Sequence, residues 1–345
     1  MHLKSIFLGV LFVFCCMATF SQSNEVLNLN VEARVDYQRE YLDGKSHDAN
    51  TGFKGRYLNF SLSGDISKNF SYAYRQRLNK AHADQSFFDA TDWIYLSYKT
   101  GQWDLSAGKQ VVGIGGHEYD RAPIDLYFCS EYWNNIPCYQ LGVSVGYQIG
   151  QKDKLLAQIC ESPFRKNKTM NEANKASYAY NIMWYGSHEW FNTIYSFNMI
   201  EYAPGKYISY IALGNKFDMG NVALELDVMN RATDEHAFWG KNFSIMGELC
   251  WKAHKQLNIQ GKVTYDVNKT NSAGDLCVMP GTEITRAGGA VEFFPLKKGS
   301  KDVRIHAAAA YTFGNNGNAF GTALDKQMMY ELGLTWRMKV LSLKK

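Results

Sequence analysis

The stretch "LNLNVEARVDYQ", Leu27 to Gln38, alternates without a break. Leu27, Leu29, Val31, Ala33, Val35 and Tyr37 are apolar, and the residues between them are polar or charged. Successive side chains of a β-strand point to opposite faces, so a dozen residues at period two describe a strand with one oily and one wet face. Two settings produce such a strand: a protein core against bulk water, or lipid against a hydrated interior.

The same pattern recurs in "LNIQGKVTYD", "VRIHAAAAYT", "YELGLTWRMKV", "VALELDV", "FSIMGELCWK" and "YQLGVSVGYQI". No comparable run shows apolar residues at helical spacing. Strands are expected near 25–41, 55–65, 69–79, 90–100, 102–112, 138–149, 153–162, 176–186, 189–200, 206–217, 221–231, 241–252, 256–268, 284–296, 301–313 and 326–341. That is about 16 strands, the even number of a single-chain bacterial barrel.

The connections separate the two settings. "DISKN", "TGQ", "GQKD", "GSHE", "DMGN", "AHKQ" and "LKKGSK" are short, whereas 42–54, 80–89, 113–137, 163–175, 232–240, 269–283 and 314–325 are long. One connection due to be long, "EYAPGKY", is brief. A transmembrane barrel with tight turns at one end and longer loops at the other predicts this alternation. A soluble chain of this length divides into sandwich domains joined by linkers, and no linker or composition shift is present. Tyr37, Tyr98, Trp103, Tyr147, Trp184, Trp251, Tyr265, Tyr311 and Trp336 fall on the oily face near strand ends, where aromatic girdles meet a bilayer interface. The wet face carries Glu32, Arg34, Asp36, Arg75, Arg77, Glu225, Asp227, Glu248, Lys252, Lys262, Asp266, Arg286, Glu292, Arg304, Glu331, Arg337 and Lys339. A dry core does not hold that many charges. The expected fold is all-β: a transmembrane antiparallel β-barrel whose bore is hydrated.

The first residues fit an exported protein. Lys4, the apolar run "IFLGVLFVFCCMATF" and Thr19-Phe20-Ser21 resemble a secretory signal peptide, expected over 1–21, with 22–345 as one barrel domain. The apolar run is too short for a retained membrane helix. Phe12, Val13 and Phe14 before Cys15 do not supply a lipobox. A net charge of +4 is too weak to argue for nucleic acid. Beyond the leader, Cys129, Cys138, Cys160, Cys250 and Cys277 are odd in number and irregular in spacing, which is not a disulfide framework, although Cys129 and Cys138 are near enough to bridge one loop. Parity turns Lys109 towards lipid unless a bulge after Gly108 reverses it.

The longest connection, 113–137, is "GIGGHEYDRAPIDLYFCSEYWNNIP", and it is rich in apolar side chains. Such a loop packs on a surface, and the inner wall of the barrel is the surface available. As the third external loop, it is expected to fold inward and narrow the pore. Glu118, Asp120, Arg121, Asp125 and Glu131 would then face wall cations such as Arg75, Arg77 and Lys99, a transverse field that sorts solutes by charge and size. The plainer alternative is that these charges pair and pin the loop.

"GRYLNFSLSGDISKNFSYAYRQRLNK", "DATDWIYLSYK", "LSAGKQVVGIGGHEYDRAPIDLYF" and "SEYWNNI" resemble the porin family of Bacteroidetes, related to the phosphate-selective porins of the O/P type. The resemblance is closest over residues 52–145. It implies a homotrimeric outer-membrane barrel of a Gram-negative cell with an infolded third loop, exported through the Sec pathway and admitting small hydrophilic solutes or anions by passive diffusion. It implies neither cofactor nor metal ion. Phosphate-selective members line the pore with a ladder of basic residues; the cations available here are Arg75, Arg77, Lys99, Arg286, Arg304 and Arg337, interleaved with Glu225, Asp227, Glu248, Glu292 and Glu331. Many such barrels end on an aromatic residue, whereas this sequence reads "VLSLKK", although Trp336 and Val340 keep the last strand's alternation.

Two other classes of barrel fit the sequence less well. A barrel hydrolase needs a catalytic constellation, but there is no G-x-S-x-G or H-E-x-x-H, and the histidines are scattered. His117-Glu118 with Asp120 reads more simply as a loop salt-bridge cluster, and "GIGG" is followed by no helical pattern that would make it a dinucleotide fingerprint. A non-conducting adhesin barrel should have long external loops, and most here are modest. The expectation is a channel, not an enzyme.

Overall fold

The computed structural model describes residues 25–80, 86–167, 175–233, 240–296, 300–317 and 326–344. The expected leader lies outside these residues, as do parts of the expected loops 80–89, 163–175, 232–240 and 314–325 and of the turn "LKKGSK".

Sixteen long strands run in chain order: β1 Glu25–Leu42, β2 Gly52–Asp65, β3 Phe70–Arg77, β4 Thr91–Thr100, β5 Trp103–Val111, β6 Tyr139–Ile149, β7 Asp153–Glu161, β8 Tyr178–His188, β9 Phe191–Ala203, β10 Lys206–Asp218, β11 Val222–Ala232, β12 Asn242–His254, β13 Leu257–Asn268, β14 Glu283–Phe293, β15 Val303–Asn315 and β16 Gln327–Lys344. A two-residue strand, Lys45–Ser46, pairs with the end of β1. Each long strand pairs antiparallel with its neighbour in sequence, and β1 pairs with both β2 and β16, which closes the sheet. Closure leaves no edge strand with unsatisfied backbone groups, the condition for crossing hydrocarbon with strands. No described helix is long and apolar enough to cross a membrane.

Sidedness follows the alternation read from "LNLNVEARVDYQ". Val35 lies opposite Leu334 on the outer face, while its neighbours Arg34 and Asp36 point into the bore. The outer face exposes large apolar side chains all round the barrel, among them Val143, Ile182 and Leu332 at 53–59%. Rings cluster towards the short-turn end, with Phe70 on Tyr98 and Trp103 on Tyr147 each at 4.7 Å between centroids. Lys109 keeps its outward parity, opposite Ile94 and Leu141. Its ammonium is covered by a short helix, Phe87–Ala90, and donates to the carbonyl oxygens of Phe88 and Asp89 at 2.9 and 3.3 Å.

Two local differences from the sequence reading have physical causes. The turn expected at "GSHE" falls two residues later, at Glu189 and Trp190, because Gly186 and Ser187 continue the ladder opposite Thr193 and Asn192. In β4, Arg75 of β3 stands opposite Trp93 but Gln76 opposite Thr91, so Asp92 is the extra residue of a bulge. All five described cysteines are free, so the suggested Cys129–Cys138 bridge is not formed.

Candidate functional site

Residues 112–138 leave β5 and return into β6, and they are bonded to inward-facing side chains of the wall along most of their length. At the root, a row of carboxamides takes hold of the backbone. Gly113 N–H donates to Gln158 Oε1 at 2.7 Å, and Asn198 Nδ2 donates to Gly113 O at 2.6 Å. Asn181 bridges these two amides. Gly115 N–H donates to Ser196 Oγ at 2.8 Å. Gly115 sits against β9, where any β-carbon would meet the Ile194 carbonyl at 2.7 Å, so "GIGG" is small because two backbones touch.

Beyond the root, each short helix of the loop presents its first N–H groups to a wall carboxylate. His117 and Glu118 donate to Asp227 at 2.9 and 2.8 Å, and Glu131 and Tyr132 donate to Asp266 at 2.7 and 3.2 Å. The loop's charges do the same with wall residues. Glu118 meets Lys262 at 2.7 Å, Arg121 bridges Glu225 and Glu248, and Glu131 meets Arg286 at 3.0 Å. Asp125 is held by Arg304 and Arg337, both at 2.8 Å. Arg34 donates to the carbonyls of Ile124 and Leu126, and to Asp36 and Glu331. Ile114, Ile124, Tyr132 and Ile136 are buried beneath these bonds.

The site residues expected from sequence therefore separate into two sets. Glu118, Arg121, Asp125 and Glu131 pair with β11 to β16, not with Arg75, Arg77 and Lys99 as expected. The reason is that a partner stands within reach on the covering wall for each of them, and ion pairs form where low-dielectric contact is available. Arg286, Arg304 and Arg337 are those partners. Asp120 is the exception: it is exposed and has no ion-pair partner among the described residues. It shares a cavity of about 520 Å³ with Arg75 and Lys99.

The uncovered wall is different. Arg75, Arg77 and Lys80 converge on one carboxylate, Asp92, at 3.0, 3.2 and 3.4 Å. Arg75 also donates to the Tyr139 hydroxyl at 2.6 Å and lies 3.6 Å over the Trp93 ring. Further along β4, Lys99 is exposed to the bore. Three cations around one anion leave a local positive excess opposite a loop whose own charges are mostly neutralised. Sequence parity missed Asp92 because the bulge that turns it inward breaks the alternation used to find wall residues.

A second cavity, of about 410 Å³, is lined by Lys54, Arg56 and Tyr57 on the long-loop side. Pro123 and Trp133 line both cavities, so this edge of the loop stands between them. Asp36, His306 and Glu331 bring three possible metal-ligand atoms within 4.8 Å of one another. Arg34 sits among them and donates to both carboxylates, so the charge a cation would supply is already provided by a guanidinium.

A closed sixteen-stranded barrel, oily outside and charged within, defines an outer-membrane pore protein. The chain belongs to the phosphate-selective porin O and P family, whose model matches residues 27–233. Its place is the outer membrane. Among solved structures it is similar to OmpT, an outer membrane protein of Vibrio cholerae, at 11% identity and a TM-score of 0.64, covering 93% of this chain and 100% of that one. The outer membrane channel DcaP of Acinetobacter baumannii gives 11% identity and 0.63, with 93% and 100% covered. An anion-selective porin from Comamonas acidovorans gives 11% and 0.63, with 91% and 100% covered. These likenesses concern the fold. No curated protein matches the chain.

Proposed function

We propose that this porin is a passive channel for small hydrophilic solutes with a preference for anions, and that the uncovered wall sets the preference. The observation that carries this reading is the convergence of Arg75, Arg77 and Lys80 on the single carboxylate of Asp92. A positive excess that reaches the bore through the partly exposed Arg77 and Lys80, with Arg75 and Asp92 buried behind them, faces a loop neutralised by its own partners and raises the local concentration of anions. Glu118, Arg121, Asp125 and Glu131 serve mainly to hold the constriction loop, and Asp120 is the loop charge that solutes meet. The reading further takes the chain as a homotrimer of Bacteroidetes lineage. Support for the trimer comes from the family resemblance and from a Vibrio cholerae OmpT structure described as a trimer form. The resemblance in "DATDWIYLSYK" and "GIGGHEYDRAPIDLYF" supports the lineage.

The test is the reversal potential across a planar bilayer in a potassium chloride gradient. The native protein is expected to pass chloride over potassium by about twofold or more, as a charged constriction does. Arg75→Glu with Arg77→Glu inverts the sign. An unchanged ion preference in the double variant removes these residues from the filter.

A further inference from the structure

The 520 Å³ cavity carries more than charge. Its wall presents a row of uncharged hydrogen-bonding groups, one from each of five consecutive strands. Ser71 stands opposite Ser97, Ser97 opposite Ser106, Ser106 opposite Ser144, and Ser144 opposite Gln158. All five line the cavity. Ser97 and Ser106 share one hydrogen bond at 2.7 Å, and Ser144 donates to Gln110 at 2.8 Å. A hydroxyl has one donor and two acceptor sites, so each keeps capacity for a solute. The same cavity is lined by the rings of Tyr95, Tyr139 and Tyr185 on the wall beside this row and of Trp133 on the loop. Down β4 the inward order is Trp93, Tyr95, Ser97, Lys99, spaced by roughly 6.6 Å per step at the rise of a strand. Lys99 has no ion-pair partner among the described residues and lines the cavity.

We infer that this cavity is a binding subsite for a carbohydrate carrying one anionic group, a pyranose ring with a carboxylate. This rests on the anion-admitting pore proposed above and names its solute class. Aromatic rings offer flat apolar surface to the C–H face of a sugar, hydroxyls and carboxamides exchange hydrogen bonds with its hydroxyls, and a lone ammonium meets one negative charge. A small inorganic anion makes no use of the rings or of the serine row. A site for it would gather several unpaired cations, whereas Arg75, Lys154 and Arg121 in this cavity already hold Asp92, Asp104 and the Glu225–Glu248 pair, and Asp120 is an exposed carboxylate there that accepts from a sugar hydroxyl but repels an inorganic anion.

The experiment uses the full protein reconstituted in planar bilayers, with glucuronate as probe. Hexanoate has the same charge and carbon number without hydroxyls, and glucose has the hydroxyls without the charge. Glucuronate is expected to interrupt the current at concentrations about tenfold below either control, the factor that one or two added hydrogen bonds supply. Ser97→Ala with Ser106→Ala and Ser144→Ala is expected to remove that advantage, and Ser97→Thr, which keeps the hydroxyl, to preserve it. The chloride-to-potassium preference of both variants stays native, which also reports a folded channel. Equal interruption by glucuronate and hexanoate in the native protein overturns the inference while leaving the anion preference standing. Absence of chloride preference in the native protein overturns instead the anion preference on which the inference rests. A triple variant that conducts and still favours glucuronate tenfold shows that the serine row is not the subsite.

Discussion

Arg34 shows how much rests on single side chains inside a wetted barrel. It is 2% exposed, faces Asp36 and Glu331, and reaches two carbonyls of a loop some ninety residues away. Removing one partner of a buried network leaves the others as uncompensated charge, typically a cost of about 3–5 kcal/mol. Arg34→Met is therefore expected to lower the temperature at which the barrel changes its migration in detergent gels. Adding Glu331→Gln is expected to restore part of the loss, because Arg56 and His306 are shared between Asp36, at 3.4 and 3.0 Å, and Glu331, at 3.3 and 3.5 Å, and then have a single carboxylate to neutralise. An equal or greater loss in the double variant shows that Arg34 acts by packing alone. The sequence made Arg34 legible as a bore residue, since its parity within Leu27–Gln38 admits no other side. Its partners were not legible, because Leu126 and Glu331 come beside it only when the sheet closes and the loop turns in.

Among the elements, the constriction loop is held by a seat that the strands were shaped to provide. Beneath Phe128, the inward positions of β14 and β15 are small: Gly288, Ala290, Ala308 and Ala310. A β-carbon at Gly288 would stand 3.0 Å from the Phe128 ring and 2.2 Å from the Ala309 carbonyl. In "VRIHAAAAYT" and in the strand expected over 284–296, small residues stand on the wet face, and that smallness is the signal that something docks there. Ala310→Leu, at an inward position that already carries a β-carbon and lines a cavity with Phe128, is expected to lift Phe128 and neighbouring loop residues from the wall. The readout is open-channel current noise, which should rise while the gel migration of the folded barrel is kept. Quiet channels at native conductance contradict the seat. The loop's inward course follows from its apolar content, but which wall it chose was set by Asp227, Asp266 and the small patch. These are spread over four strands that no local pattern links.

At the scale of the whole molecule, barrel and loop are separable. The barrel is closed by backbone pairing between consecutive strands and between β1 and β16, and no rung of that ladder uses residues 117–135. The fold was accordingly legible from period-two alternation and from the rhythm of short and long connections, whereas the filter proposed above depends on one bulge at Asp92 that alternation hides. If the positive wall determines the ion preference, replacing residues 117–135 with a short Gly-Ser linker should raise conductance several-fold, since the obstruction is gone. The chloride preference should keep its sign. Excision removes four carboxylates, Glu118, Asp120, Asp125 and Glu131, with one guanidinium, Arg121. The wall groups it frees, Lys262, Arg286, Arg304 and Arg337 with Asp227, Asp266, Glu225 and Glu248, balance, so the lumen becomes more positive while Arg75, Arg77 and Lys80 still outnumber Asp92. Loss or inversion of the preference on excision would assign selectivity to the spacing the loop imposes, and not to the wall.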